Sequence, residues 1–207
     1  MKKDAIIFDL DGTLWDACEP VRIAWNRVLQ RNGHPDITLE TITGFMGKTI
    51  DEITSMFFTT IPHAEGLKIA LACCDEECRY LAEHGARLFD GLEGVLQQLC
   101  ETYSLSIVSN CQDGYAEAFL SHYGFEKYFD DYEYSGRTQK PKGDNIKMLM
   151  ERNGITRAVY VGDTQGDCDA AAQAGIPFVF ARYGFGSVNR HDAVVSSVTE
   201  IPQAVAA

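Results

Sequence analysis

The chain has no apolar stretch approaching the roughly 18 consecutive residues that a membrane-spanning helix needs, so no spanning segment is expected. Basic residues are scarce: 18 Lys and Arg against 30 Asp and Glu give a net charge of −12, with no local Lys/Arg cluster. Such a surface repels a phosphodiester backbone, which excludes nucleic acid as an expected partner. No internal repeat and no low-complexity linker is found. A disulfide framework is missing too, because the seven cysteines (Cys18, Cys73, Cys74, Cys78, Cys100, Cys111 and Cys168) are odd in number and irregularly spaced. Reduced thiols in a cytoplasmic setting are the expectation. Met1-Lys2-Lys3-Asp4 runs straight into a short apolar segment rather than into a signal-peptide core. Cys73, Cys74 and Cys78 with His84 do not have the spacing of a zinc finger, so packing within a helix is the simpler reading.

What is present is an alternation. Short apolar runs at Ala5-Ile6-Ile7-Phe8, Leu105-Ser106-Ile107-Val108, Ala158-Val159-Tyr160-Val161 and Pro177-Phe178-Val179-Phe180 have the character of strands buried on both faces. Helical patterns lie between them, from Leu92 to Cys100, Tyr115 to Tyr123, Ile146 to Asn153 and Asp167 to Ala174. Strands alternating with helices predict an α/β fold with a Rossmann-like parallel sheet. From about Ala17 to Ala86 the rhythm stops. That stretch carries amphipathic helical patterns alone: Val21, Trp25, Val28 and Leu29 share one face until Asn32-Gly33, Thr49-x-x-Glu52 has the form of a capping box, and Ala64 to Ala82 fits one long helix. The expected organisation is therefore an α/β core of residues 1–16 and 87–207, with a small helical domain, 17–86, inserted after the first strand.

The residues able to do chemistry fall at predicted strand ends, the edge where open α/β sheets bind ligands. Asp9 and Asp11 are two apart, so their carboxylates can point the same way. Gly12-Thr13 follows, where backbone N–H groups can come close to an anion. Asp163 and Asp167 bracket a second strand end. Four clustered acids repel one another unless a hard cation lies between them, and magnesium is the expected one. Ser109-Asn110 ends another strand and offers a hydroxyl and N–H donors. A lysine from Lys140-Pro141-Lys142-Gly143-Asp144 can supply positive charge. Singly, each of these is ordinary: Asp-Gly is a common turn, Asp167 can simply cap a helix, and most lysines are solvated.

As an ordered set, Asp-x-Asp-Gly-Thr, Ser-Asn, Lys and Gly-Asp-x-x-x-Asp resemble the four motifs of the haloacid dehalogenase superfamily. The resemblance runs from Asp9 to Asp167 and extends through Ala170-Ala171-Ala172-Gln173-Ala174-Gly175. It implies Asp9 as nucleophile and Asp11 as general acid/base. It also implies a Mg2+ held by Asp9, Asp163 and the Asp11 carbonyl with Asp167 in support, so that Asp9, Asp11, Asp163 and Asp167 form the metal set. Ser109, a lysine, Gly12, Thr13 and Asn110 would then hold the phosphate. Lys140-Pro141 resembles the form found in phosphoglycolate phosphatase-like members, and Lys142-Gly143-Asp144 that of phosphoserine phosphatase-like members. Lys142 is preferred because its segment enters the next helix directly. The helical insert has the position and size of what the family calls a C1 cap, within which Gly44-Phe45-Met46-Gly47-Lys48 is a candidate substrate loop, with Lys48 able to meet an anion.

The implied activity is a Mg2+-dependent phosphatase acting on a small, phosphoglycolate-like phosphomonoester through an aspartyl-phosphate. Carbon–halogen cleavage is disfavoured, since members that perform it lack the acid found at Asp11. The alternatives are a phosphomutase of the β-phosphoglucomutase type, a non-catalytic phosphate-binding regulatory protein, and a receiver domain, whose short chain lacks such an insert. The pattern sets no oligomeric state.

Overall fold

The computed structural model describes residues 4–206. Met1-Lys2-Lys3, read above as leading straight into the first strand, lies outside them, as does Ala207. In chain order the elements are β1 (Ala5–Phe8), β2 (Trp15–Asp16), α1 (Cys18–Arg31), α2 (Leu39–Thr43), α3 (Ile50–Phe57), α4 (His63–His84), β3 (Arg87–Leu88), α5 (Leu92–Cys100), β4 (Ser104–Ser109), α6 (Tyr115–Tyr123), β5 (Asp131–Tyr134), α7 (Ser135–Thr138), α8 (Lys142–Arg152), β6 (Ala158–Gly162), α9 (Gln165–Ala174), β7 (Phe178–Ala181), β8 (Ala193–Val195) and α10 (Ile201–Val205).

β1 is buried along its whole length because helices cover the sheet on both sides. Its side chains alternate accordingly. Ile6 and Phe8 join the larger core with Leu105, Ile107 and Phe119, whereas Ile7 joins a second core with Val108, Ile146 and Tyr160. The sheet order is β5-β4-β1-β6-β7-β8, and every pair in it is parallel. The chain moves outward from β1 to β4 and β5, then returns to β6 on the other side. That reversal opens a crevice beyond the carboxyl ends of β1, β4 and β6.

The apolar runs predicted as strands are β1, β4, β6 and β7. The runs did not reveal β5 or β8, which lie at the two sheet edges. The Asp131-Tyr132-Glu133-Tyr134 segment alternates because one face carries Glu133 to Arg137 and Arg152. α8 also starts four residues before the predicted Ile146, at Lys142, with Pro141 in front of it.

Between β2 and β3 the chain is helical, and the two short strands pair antiparallel, Trp15 with Leu88 and Asp16 with Arg87. Trp25 of α1 packs against Phe45 and Phe57, which ties α1, the 44–48 loop and α3 together. Thr49 forms the capping box with Glu52 that the spacing predicts. Cys73 and Cys74 are buried in α4, and among the described residues no disulfide is formed. Among the described residues no helix is long and apolar enough to cross a membrane.

Phe119 is fully buried and stacks edge-on against Trp15, Phe125 and Phe129. Phe119→Ala is expected to lower the unfolding free energy by about 3–5 kcal/mol, measured as a shifted urea midpoint. A change below about 1 kcal/mol would contradict the packing described.

Candidate active site

Register sets the site. Phe8 pairs with Ile107 on one side and Val161 on the other. Asp9 therefore emerges between the segments that end in Ser109 and Asp163. The Asp9 N–H donates to the Val161 carbonyl at 2.9 Å, which holds the strand end in place. One carboxylate oxygen each from Asp9, Asp163 and Asp167 lies within 4.8 Å of the others, and all three residues are buried.

A single ammonium group bridges part of this cluster. Lys142 Nζ donates to Asp9 Oδ1 at 3.0 Å and to Asp167 Oδ1 at 2.6 Å, and is itself buried. Burial works against the ammonium, but Asp167 and Asp9 outweigh it and hold its pKa above the ordinary value. Asp167 is committed elsewhere as well. Its Oδ2 accepts from the N–H groups of Asp163 (3.2 Å) and Thr164 (2.9 Å) and from the Thr164 hydroxyl (2.7 Å), closing the capping box of α9.

Two buried carboxylate oxygens are left over: Asp9 Oδ2 and Asp163 Oδ1 have no hydrogen-bond partner among the described residues. The other Asp163 oxygen accepts from the Phe185 N–H at 2.7 Å. Burial, with Asp167 and Lys142 opposing each other, pushes Asp9 up to about 6. Burial and the neighbouring Asp167 and Asp9 push Asp163 up to about 8. Three carboxylates facing one ammonium leave two negative charges uncompensated when all are ionised. An oxygen-seeking dication fits that deficit and those two oxygens.

Glycines make the approach possible. A Cβ at Gly12, whose φ is +77°, would lie 2.2 Å from Asp163 Oδ2. At Gly184 it would lie 2.4 Å from the Asp163 Cβ and from the Gly12 carbonyl oxygen.

Asp11 stands apart from this cluster. Its carboxylate is outside the three-acid group, which corrects the expectation of four acids on one cation. The Tyr115 hydroxyl donates to Asp11 Oδ1 at 2.7 Å, and burial pushes the carboxyl up to about 8. At neutral pH Asp11 carries a proton that it can give away.

Other expectations are also modified. Lys140 is exposed, and its carbonyl accepts from the Ser135 hydroxyl and the Asn145 amide, so only Lys142 reaches the acids. The N–H groups of Gly12 and Thr13 donate within their own turn, to Trp15 and Leu10, rather than facing an anion. Asn110 is spent on fastening. Its Nδ2 donates to the Gly47 carbonyl at 2.9 Å, and its Oδ1 accepts from Ser135 at 2.9 Å, clasping the 44–48 loop to the core. Lys48 and Ser109 line, with Asp11, a cavity of about 50 Å³ between the helical segment and the sheet edge. Tyr115, Phe185, Glu77 and Gln112 belong to this region and had no local signal in the sequence. Gly184-x-Gly186 was the one readable hint of a close approach, since a Cβ at Gly186 would fall 2.6 Å from the Asp163 carbonyl.

The family model for haloacid dehalogenase-like hydrolases matches residues 6–181. The chain belongs to this family. It is a hydrolase of the phosphatase kind, and its relatives bear that name: it is 30% identical to the phosphoglycolate phosphatase of Rhodobacter capsulatus over 87% of this chain and 85% of that protein. It is 31% identical to that of Xanthomonas campestris pv. campestris over 87% of this chain and 84% of that one. Among solved structures, a haloacid dehalogenase-like family hydrolase from Streptococcus pneumoniae superposes with a TM-score of 0.82 at 25% identity, covering 97% of both chains.

The raised carboxyls fix a pH dependence for this hydrolase. In chelator, the unfolded chain ionises Asp9, Asp11 and Asp163 near pH 4, while the folded protein resists until about pH 6 to 8. Their contribution to stability is complete at low pH and is lost as pH rises through the folded values. Asp11→Asn is therefore expected to melt above the parent at pH 8, with the gap closing towards pH 5. A gap independent of pH, read by circular dichroism, would count against a neutral Asp11.

Proposed function

We propose that this hydrolase is a magnesium-dependent phosphatase that cleaves a small phosphomonoester, phosphoglycolate-like in size, through a phosphorylated Asp9. The observation that carries the reading is the pair of unsatisfied buried oxygens, Asp9 Oδ2 and Asp163 Oδ1, beside a separate carboxyl that holds its proton. Asp9 and Asp163, with the Asp11 carbonyl, would hold the ion. When bound, magnesium would supply positive charge that favours the ionised form of both acids and stabilises the charge on the transferring phosphoryl group.

The remaining work falls to the chain. Lys142 keeps Asp9 ionised and oriented through Oδ1, so that its carboxylate can attack phosphorus in line. Asp11 gives its proton to the departing oxygen as the phosphorus–oxygen bond breaks, leaving phosphate on Asp9. It then takes a proton from the water that attacks this intermediate, which restores both aspartates and releases inorganic phosphate. Ser109, at the end of the neighbouring β4, would donate to a phosphate oxygen. The helical segment 17–86, against the core of 1–16 and 87–207, acts as a cap that excludes water from these steps. The lack of a disulfide among the described residues is in keeping with a reducing, cytoplasmic setting.

The test measures phosphate release from a panel of small esters that includes phosphoglycolate. Asp9→Asn is expected to lose at least about a thousandfold in kcat while remaining folded, a loss in the range seen when a catalytic nucleophile is removed. In parallel, Mg2+ should raise the Tm of the parent at pH 8 more than at pH 5, because protons compete for the ligand oxygens. Turnover that survives Asp9→Asn, or no release of phosphate from any ester, would overturn the reading; the second result would point to a phosphomutase.

A further inference from the structure

The leaving oxygen must lie against Asp11, so whatever is attached to it occupies the cavity that Asp11 lines. That cavity, about 50 Å³, offers on the order of four water-sized positions, since one water needs roughly 10–15 Å³ by this measure. A leaving group of only a few heavy atoms fits. Val21, Ile42, Phe45 and Met46 make much of the wall apolar, and a buried carboxylate from the middle of α4, Glu77, interrupts it.

The environment of Glu77 is one-sided. Trp25 Nε1 donates to its Oε2 at 2.5 Å, and Gln112 Nε2 donates to its Oε1 at 2.7 Å. Both partners are donors, so the hydrogen bonding favours the ionised form. A carboxylate has roughly four acceptor positions; two are filled, which leaves Glu77 able to accept further donors from the cavity. Neither Trp25 nor Gln112 can turn away without leaving a buried polar group unpaired, so the carboxylate is held at the wall. Burial opposes these two donors and pushes Glu77 up to about 7, and a further donor from a ligand shifts the balance back toward the carboxylate.

Building on the phosphatase reading, we infer that Glu77 selects the leaving group: the preferred substrate is a phosphomonoester of a small alcohol that carries a second hydrogen-bond donor, a hydroxyl or an ammonium group, within reach of α4. A leaving group that ends in a carboxylate meets like charge at this wall. This chain is thereby set apart from a strict phosphoglycolate preference, although Lys48 lines the same cavity and tolerates an additional anionic group beside the donor. Glu77 reads the substrate without taking part in proton or phosphoryl transfer. It is a specificity-determining residue.

The experiment compares kcat/KM of the magnesium-loaded protein for four esters: ethyl phosphate, which has no second polar group, glycerol phosphate, ethanolamine phosphate and phosphoglycolate. The parent is expected to favour glycerol phosphate or ethanolamine phosphate over both ethyl phosphate and phosphoglycolate by about tenfold or more, as sites built to hydrogen-bond a substrate group do. Which of the two leads distinguishes a hydroxyl from an ammonium partner. Glu77→Gln, close to isosteric, should collapse that ratio, with the two donor-bearing esters losing about tenfold or more in kcat/KM. A purely structural role for Glu77 would lower all four equally. A parent that prefers phosphoglycolate, or a ratio unchanged in Glu77→Gln, overturns the inference, and the parent's preference alone decides if the variant does not fold. Hydrolysis that depends on Asp9 but shows no such preference sinks this selection and leaves the phosphatase reading standing, whereas hydrolysis that survives Asp9→Asn sinks the phosphatase reading itself.

Discussion

One buried ammonium against three buried carboxylates is the constraint on which this site depends. Lys142 holds Asp9 and Asp167 together, and Asp163 stands beside them with an oxygen that has no hydrogen-bond partner among the described residues. A fold does not keep such an imbalance for stability, since hydrophobic residues of the same volume would serve at least as well. The close approach of Gly12 and Gly184 belongs to the same arrangement, because the backbone is packed against Asp163 where any Cβ would collide with it.

The same edge organises the helical segment above it. Three positions after β4 act as fasteners: Asn110 donates to the Gly47 carbonyl, Gln112 donates to Glu77, and the Asp113 carbonyl accepts from the Cys78 thiol at 3.5 Å. The loop that follows Ser109 thus joins the end of β4 to the helical segment.

Much of this was legible in the chain itself, for identifiable reasons. Central strands are buried on both faces, so β1, β4, β6 and β7 announce themselves as apolar runs, and the acids that follow β1 and β6 mark the carboxyl edge. Edge strands do not. Asp131-Tyr132-Glu133-Tyr134 carries an ion-pair network with Arg137 and Arg152 on one face and therefore lacks the apolar signature. The lysine question had a local answer, because a helix that begins at Lys142 aims its side chain inward, whereas Lys140 precedes the turn. Tyr115, Phe185, Glu77 and Gln112 were out of reach. Tyr115 meets Asp11 across 104 positions in sequence, and no propensity or spacing records such an encounter. Residues that the sequence singles out also change meaning on folding: Asn110, with the composition of an anion ligand, is a clasp.

The antiparallel pairing of Trp15 with Leu88 and Asp16 with Arg87 brings both ends of the helical segment to one spot. A loop whose ends are already joined by a paired ribbon costs the remainder of the chain little more entropy as it lengthens. Drift within the intervening helices therefore leaves the aspartates where they are. Such an arrangement is a socket, into which lineages or protein engineers can plug unlike lids and so redirect one unchanged set of reacting atoms toward new compounds.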